Sequence, residues 1–283
     1  MTGVLRIVST PIGNLEDITL RALRVLRESD AIAAEDTRVT RKLLSHFDIH
    51  TPMIAYHQHS TGRRAEEILE LLQSGKSVAL VSDAGTPGIS DPGHELIAMC
   101  IAEKVTLEPV PGPTAAIAAL VVSGFGTSHF AFDGFPPRKL GERLAFFASL
   151  SRDTRTLVFY EAPSRLVKTL ESMRKELGDR KVVIVRETTK LHEEHFRGTV
   201  SEAIERYGPG QVRGEIVIVV HGASANESAP LETKPDELND RLLLLVREGL
   251  SERDAIRRCM IEFKLPKRVV YSAWLRLKES SQE

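Results

Sequence analysis

Val78-Ala79-Leu80-Val81 runs directly into Ser82-Asp83-Ala84-Gly85-Thr86-Pro87-Gly88-Ile89-Ser90-Asp91-Pro92-Gly93. The apolar quartet reads as a strand buried on both faces, and the run after it as a binding loop at that strand's carboxyl end. Glycine and proline set its turns, while Asp83 and Asp91 can accept hydrogen bonds from a ligand. Open α/β sheets bind ligands at this edge.

Outward from this stretch, short β-type runs alternate with segments of helical spacing. Val4 to Val8, Ala31 to Ala34, Val78 to Val81 and Val105 to Val110 read as strands. Thr19 to Arg27, Thr40 to His46, Arg64 to Leu72 and Pro113 to Val122 read as helices, the last with Pro113 near its first turn. Strands separated by helices imply a mostly parallel sheet with crossover connections. A boundary is expected around Gly124-Phe125-Gly126-Thr127, after which a second unit alternates again. Its strands fall near Thr156 to Tyr160, Val182 to Val185 and Glu215 to Val220, and its helices are Arg138 to Ser149 and Ser164 to Leu177. The expected division is 1–124 and 125–222 as two α/β domains, 223–236 as a linker poor in large apolar residues, and 237–283 as a small C-terminal helical unit.

In that last unit Glu237 to Glu248, Glu252 to Phe263 and Lys267 to Lys278 read as helices, with Ser251 and Asp254 at capping-box spacing. Arg257, Arg258, Lys267 and Arg268 lie in a basic stretch beside Tyr271 and Trp274. This is either a helix-turn-helix-like nucleic-acid surface or an ordinary solvated face with the aromatics in a small core.

A chain of 283 residues with 42% hydrophobic content can bury a sizeable core, which excludes a disordered protein. A net charge of −1 supplies no global cationic field, so contact with nucleic acid must use a local patch. The two cysteines, Cys100 and Cys259, have no paired spacing and fit a reducing cytosol. The first residues show no signal-peptide pattern, and the longest apolar run, Ala115 to Val122, is too short to span a bilayer. A soluble cytoplasmic protein is expected. His57 and His59 read as a surface turn pair without a third metal ligand.

Two further motifs accompany the central loop. Ser9-Thr10-Pro11-Ile12-Gly13-Asn14-Leu15 is a tight strand-to-helix turn with one glycine and no following lysine, which rejects kinase and dinucleotide-binding readings. Val110-Pro111-Gly112-Pro113-Thr114-Ala115 ends a strand in a constrained turn whose small side chains let a flat ligand approach the backbone. With Glu35-Asp36-Thr37-Arg38, Gly134-Phe135-Pro136-Pro137, Phe159-Tyr160-Glu161-Ala162-Pro163 and Arg186-Glu187-Thr188-Thr189-Lys190, the chain from about Leu5 to His221 resembles the tetrapyrrole methylase superfamily. Within it, the resemblance is to the ribosomal RNA small subunit methyltransferase I family. The Thr10 to Asn14 loop, in place of the glycine-rich first loop of tetrapyrrole-modifying members, favours the RNA branch; Ser164 stands where that branch commonly has His.

The resemblance implies two α/β domains with a cleft between them for S-adenosylmethionine, usually in a homodimer. The implied activity is 2′-O-ribose methylation of a cytidine in 16S ribosomal RNA of the small ribosomal subunit. It places the cofactor against Ile12, Asn14, Ser82, Asp83, Thr86, Thr114, Ala115, Glu161 and Ala162, with no metal. A ribose hydroxyl is a poor nucleophile, so a carboxylate in reach would take its proton. Glu35 and Asp36, which directly follow the second buried strand, are the catalytic candidates; Asp36 has the alternative of pairing with Arg38 or capping the next helix. RNA contact is expected from Arg38, from a mobile basic lip of Arg138, Lys139 and Arg143, and from Arg257, Arg258, Lys267 and Arg268. A small-molecule methyltransferase and a non-catalytic RNA-binding assembly protein remain as other readings.

Overall fold

The computed structural model describes residues 3–57, 61–208, 210, 212–224, 235–263 and 267–280. The chain forms two compact units, 1–224 and 225–283.

The first half of the larger unit is a parallel sheet in the order β3-β2-β4-β1-β5, built from β1 (Val4–Val8), β2 (Ala31–Ala34), β3 (Met53–Ala55), β4 (Ser77–Val81) and β5 (Thr106–Val110). Helices α1 (Leu20–Glu28), α2 (Thr37–His46), α3 (Thr61–Gln73) and α4 (His94–Ala102) are the crossovers. Ala22, Val25, Leu26 and Leu44 of α1 and α2 bury against Val8, Ile32, Ala34 and Val81 on one face. Ile68, Leu72, Leu96 and Cys100 of α3 and α4 cover Leu5, Ala33, Val78 and Leu80 on the other. Burial on both faces explains why β2 and β4 are continuous apolar runs. Thr19 starts α1, its hydroxyl accepting from the Ala22 amide at 3.0 Å.

The second half carries β6 (Phe130–Phe132), α6 (Leu140–Ser149), β7 (Thr156–Glu161), α7 (Leu166–Leu177), β8 (Lys181–Arg186), β9 (Glu194–Thr199), α8 (Val200–Tyr207) and β10 (Ile216–Val220). The sheet order is β6-β7-β10-β8-β9. It departs from the parallel pattern: β10 runs antiparallel to both β7 and β8, and β9 antiparallel to β8. Inserting the last strand between two earlier ones gives β10 a hydrogen-bonded neighbour on each side. Helices α6, α7 and α8 cover one face through Phe147, Leu166, Leu170, Met173 and Ala203.

The opposite face is covered from the first half. Helix α5 (Ala115–Ser123) follows β5, and its Ala116, Ala119 and Leu120 pack on Val158, Val183, Val217 and Val219 of the second sheet. It ends at Gly124, whose φ of +75° is the left-handed conformation that a glycine adopts without Cβ strain. Pro113 lies before this helix and Thr114 is its N-cap residue, so the helix begins after the expected Pro113. Sequence periodicity missed β3, β6, β9, α4 and α8.

The smaller unit contains α9 (Pro235–Arg247), α10 (Glu252–Glu262) and α11 (Lys267–Ser280) around Leu242, Leu245, Ala255, Cys259, Val270 and Trp274. Ser251 caps α10, accepting from the Asp254 amide at 3.2 Å and donating to its carboxylate at 2.6 Å. Trp274 is in this core, donating its indole N–H to Glu252 at 3.0 Å, while Tyr271 is exposed. Arg257 and Arg258 are exposed on α10. The side chains of Lys267 and Arg268, all of His59, and 225–234 of the expected linker lie outside the described residues. Among the described residues, no helix is long and apolar enough to cross a membrane.

Candidate active site

All the parallel strands of the first sheet point their carboxyl ends the same way, so the loops after β1, β2, β4 and β5 share one edge. Hydrogen bonds knit these loops together. Thr10 and Gly85 exchange backbone bonds of 2.8 and 3.0 Å, with Gly85 at a φ of +80°. The Thr86 hydroxyl lies 2.9 Å from that of Ser9 and 3.0 Å from that of Thr114, joining three loops at one point.

Above this edge lies a cavity of about 430 Å³, within the ~300–1,000 Å³ range of small-molecule clefts. Ile12, Glu35, Asp83, Thr86, Ile89, Asp91, Thr114 and Ala115 form one wall, and Phe135, Tyr160, Glu161, Ala162, Thr188 and Gly214 to Val217 form the other. Tyr160 bridges the walls, its hydroxyl accepting from the Ala116 amide at 3.3 Å. Its ring packs edge-on against Phe132 and lies 5.6 Å from the half-exposed Phe135.

Acidic groups dominate the first wall. The Asp83 amide donates to Glu35 Oε2 at 3.3 Å, and the Asp36 amide donates to Asp83 Oδ1 at 3.0 Å. Burial raises the carboxyls of Glu35 and Asp83 above their ordinary range; the negative charges of Asp83 and Asp36 add to the shift of Glu35, and that of Asp36 adds to the shift of Asp83. Asp91 is pushed up to about 6 by burial and then by the negative charge of Glu35. Perturbed carboxyls gathered in a cleft are the signature of a functional site.

The structure brings Ile12, Glu35, Asp83, Thr86, Thr114, Ala115, Glu161 and Ala162 to this cavity and leaves other expected residues out of its wall. Asn14 instead caps the short turn at Leu15–Asp17, accepting from the Glu16 amide at 3.1 Å. Ser82 is 2% exposed, its hydroxyl bonded to the Ala84 carbonyl beneath the loop. Asp36 caps α2 and pairs with Arg38 at 2.6 Å, and the Arg38 hydrogen bonds hold its carboxyl down at about 2. Glu161 lines the cavity but engages its carboxylate internally: Oε1 accepts from the Ala162 amide at 2.8 Å and Oε2 from the Thr169 hydroxyl at 2.5 Å.

The expected basic lip of Arg138, Lys139 and Arg143 does not form as a whole. Arg143 is 5% exposed, bonding Ser172 Oγ at 3.0 Å and the Arg138 carbonyl at 2.9 Å. It braces the turn from inside and offers no charge to a ligand. Arg138 and Lys139 are exposed, Lys139 beside Glu142 at 3.1 Å. Asp91, expected to accept hydrogen bonds from a ligand, lines the cavity, whereas sequence reasoning assigned no site role to Tyr160, Phe135 or Thr188, although each lies within a quoted motif.

Comparison with known proteins agrees with this geometry. The family described as Tetrapyrrole (Corrin/Porphyrin) Methylases matches residues 4–204, which makes this an α/β protein of the tetrapyrrole methylase class. A Synechocystis protein named ribosomal RNA small subunit methyltransferase I is 45% identical over 276 residues, 97% of this chain and 98% of its own. A Thermotoga maritima protein of the same name is 50% identical over 220 residues, covering 78% of this chain and 99% of its own. The chain belongs to the ribosomal RNA small subunit methyltransferase I family of that superfamily. Among solved structures, uroporphyrin-III C-methyltransferase from Thermus thermophilus, complexed with S-adenosylhomocysteine, shares the fold. Its TM-score is 0.56 at 21% identity, covering 77% of this chain and 97% of that one.

Proposed function

We propose that the protein is an S-adenosylmethionine-dependent 2′-O-ribose methyltransferase acting on a cytidine of 16S ribosomal RNA in the small ribosomal subunit, in the cytoplasm and as a homodimer. Family membership over nearly the whole chain supports the rRNA methyltransferase activity. The observation that carries the site is the cavity itself, with the carboxylates of Glu35, Asp83 and Asp91 on one wall and Phe135, Tyr160, Ile216 and Val217 on the other, at the sheet's carboxyl edge.

The donor set fits the cofactor. Glu35, Asp83 and Asp91 face the cavity with negative charge that suits a sulfonium or ammonium group. Ile12, Ile89, Ile216 and Val217 offer apolar contact to a planar base, and Thr86, Thr114, Ala115 and Ala162 would complete the hold. When bound, S-adenosylmethionine supplies an already activated methyl group. The protein's part is alignment, exclusion of water and handling of one proton. The Glu35 and Asp83 carboxylates, raised by burial, form the pair that takes the proton from the ribose hydroxyl. Asp36 serves that pair through its backbone N–H, which donates to Asp83 Oδ1. Exposed apolar side chains such as Val121, at 67% exposure, support the homodimer.

The Asp91 carboxyl is raised, so it is charged above about pH 6 and neutral below. Cofactor affinity should therefore fall on the acid side of that value. Asp91→Asn is expected to flatten this limb and weaken binding several-fold at alkaline pH, read by calorimetric titration across pH.

The activity is tested by methyl transfer from labelled S-adenosylmethionine to small subunits lacking the modification, followed by alkaline hydrolysis of the RNA. A labelled alkali-resistant dinucleotide containing cytidine is expected. Base-labelled mononucleotides, or no label with cofactor binding intact, would overturn the reading.

A further inference from the structure

The cleft has a second compartment. A cavity of about 290 Å³ adjoins the first and shares Ile12 and Asp83 with it as common walls. One side is α2, which presents Val39 and Lys42; the other is Lys190, at the end of the turn after β8. The Lys190 stem crosses Gly13 so closely that no Cβ would fit there. Its ammonium lies 2.9 Å from Glu187 and 3.3 Å from Glu215, so it is fixed in place and largely neutralised. Lys42 is exposed at the rim, and among the described residues it carries no ion pair. The compartment thus has a neutralised lysine on one side and an unpaired cation at its rim on the other.

We propose that this second cavity is the acceptor-nucleotide subsite: it takes one nucleotide drawn out of an RNA strand, with Lys42 on a flanking phosphate and the ribose against the Asp83 wall. The inference rests on the ribose-methyltransferase reading above. Three features carry it. Its volume lies just below the ~300–1,000 Å³ range of ligand clefts, which suits a single extruded nucleotide. Lys42 stands at the rim, where a continuing backbone would pass, and a phosphate contact of this kind fixes register along a strand. Asp83 belongs to both compartments, so donor and acceptor groups placed in the two would meet at that carboxylate.

The test uses the full chain and unmethylated small subunits, with Lys42→Ala and Val39→Trp. Lys42→Ala removes an exposed side chain and should leave folding intact. We expect its KM for subunits to rise about fivefold, with the salt dependence of log KM shallower by about 0.7–0.9, the contribution of one phosphate contact. The affinity for S-adenosylmethionine should be unchanged. Val39→Trp fills the compartment without altering charge, and should keep cofactor binding while losing transfer by more than about 100-fold, or roughly 3 kcal/mol. Lys42→Ala with wild-type KM and salt slope, or a folded Val39→Trp variant that transfers at the wild-type rate, would overturn the subsite while leaving the activity standing. Absence of alkali-resistant label with the unaltered protein would overturn the activity and the subsite together.

Discussion

Asp83→Ala is expected to reduce methyl transfer to small subunits by about 10²–10⁴-fold, the range that a positioned acid–base group supplies. The position of this carboxylate explains the size of the effect. It faces the larger cavity, is common to the smaller one, and is tied to both neighbouring acidic residues, by its own amide to Glu35 and by Oδ1 to the Asp36 amide. Removing it deletes a charge facing the donor, a proton acceptor, and the anchor of the turn before α2. Asp83→Asn separates these roles, because an amide oxygen still accepts from Asp36 but carries no charge. Single-turnover transfer together with calorimetric cofactor binding measures both variants. If Asp83→Asn transfers at the wild-type rate, the charge is not needed and the Asp83 side chain acts only as a scaffold.

The largest stability effect is expected at Arg165. Its Nε lies 3.3 Å from Glu161 Oε1, and the Glu161 side chain is 0% exposed. Its Nη2 donates to the Pro136 carbonyl at 2.6 Å and to that of Pro137 at 3.2 Å. Arg165→Ala would leave a buried carboxylate without its counter-ion and two carbonyls without their donor. We expect a loss of about 3 kcal/mol, the low end for breaking a buried pair because Thr169 and the Ala162 amide still bond Glu161. In a unit of this size that lowers the melting temperature by roughly 6–12 °C. Thermal denaturation at neutral pH reads it, and Glu161→Gln in the Arg165→Ala background should recover part of the loss. A melting temperature within a degree or two of the unaltered protein would contradict the assignment of this pair as buried.

The parts of the fold that were legible in the sequence are those buried on both faces. Ala31–Ala34, Ser77–Val81 and Ile216–Val220 are short apolar runs bounded by turn residues, and they form the central strands. The edge strands β3, β6 and β9 escaped notice because their sequences show no apolar run or period: Glu194–Thr199 is polar at most of its positions, and Met53–Ala55 and Phe130–Phe132 are too short to show a period. Helix α4 escaped for the opposite reason. His94–Ala102 is apolar around much of its circumference, so no stripe stands out. Helix α8 carried a readable start, since Thr199 and Glu202 form a capping box that went unused.

Strand direction in the second sheet was not legible, because local propensity is the same for parallel and antiparallel partners. In the site, loop chemistry marked the first wall well. The second wall depends on long-range pairing: Gly214 to Val217 reach the cavity only because β10 inserts between β7 and β8. Arg143 shows the limit of reading charge from sequence, since its guanidinium caps carbonyls within the fold and Ser172 Oγ inside it.

Helix α5 determines how this protein can be recombined with its relatives. It follows the last strand of the first sheet, yet the residues it buries, Ala116, Ala119 and Leu120, belong to the core of the second. A chimaera joined at the Gly124 turn would seat one parent's helix on the other parent's sheet and mismatch the side chains that interlock there. Moving the crossover back to Gly112, ahead of the helix, keeps α5 with the strands it covers. The natural seam for exchanging halves therefore lies a whole helix upstream of the visible break in the chain, and libraries of shuffled enzymes should yield folded members chiefly when cut there.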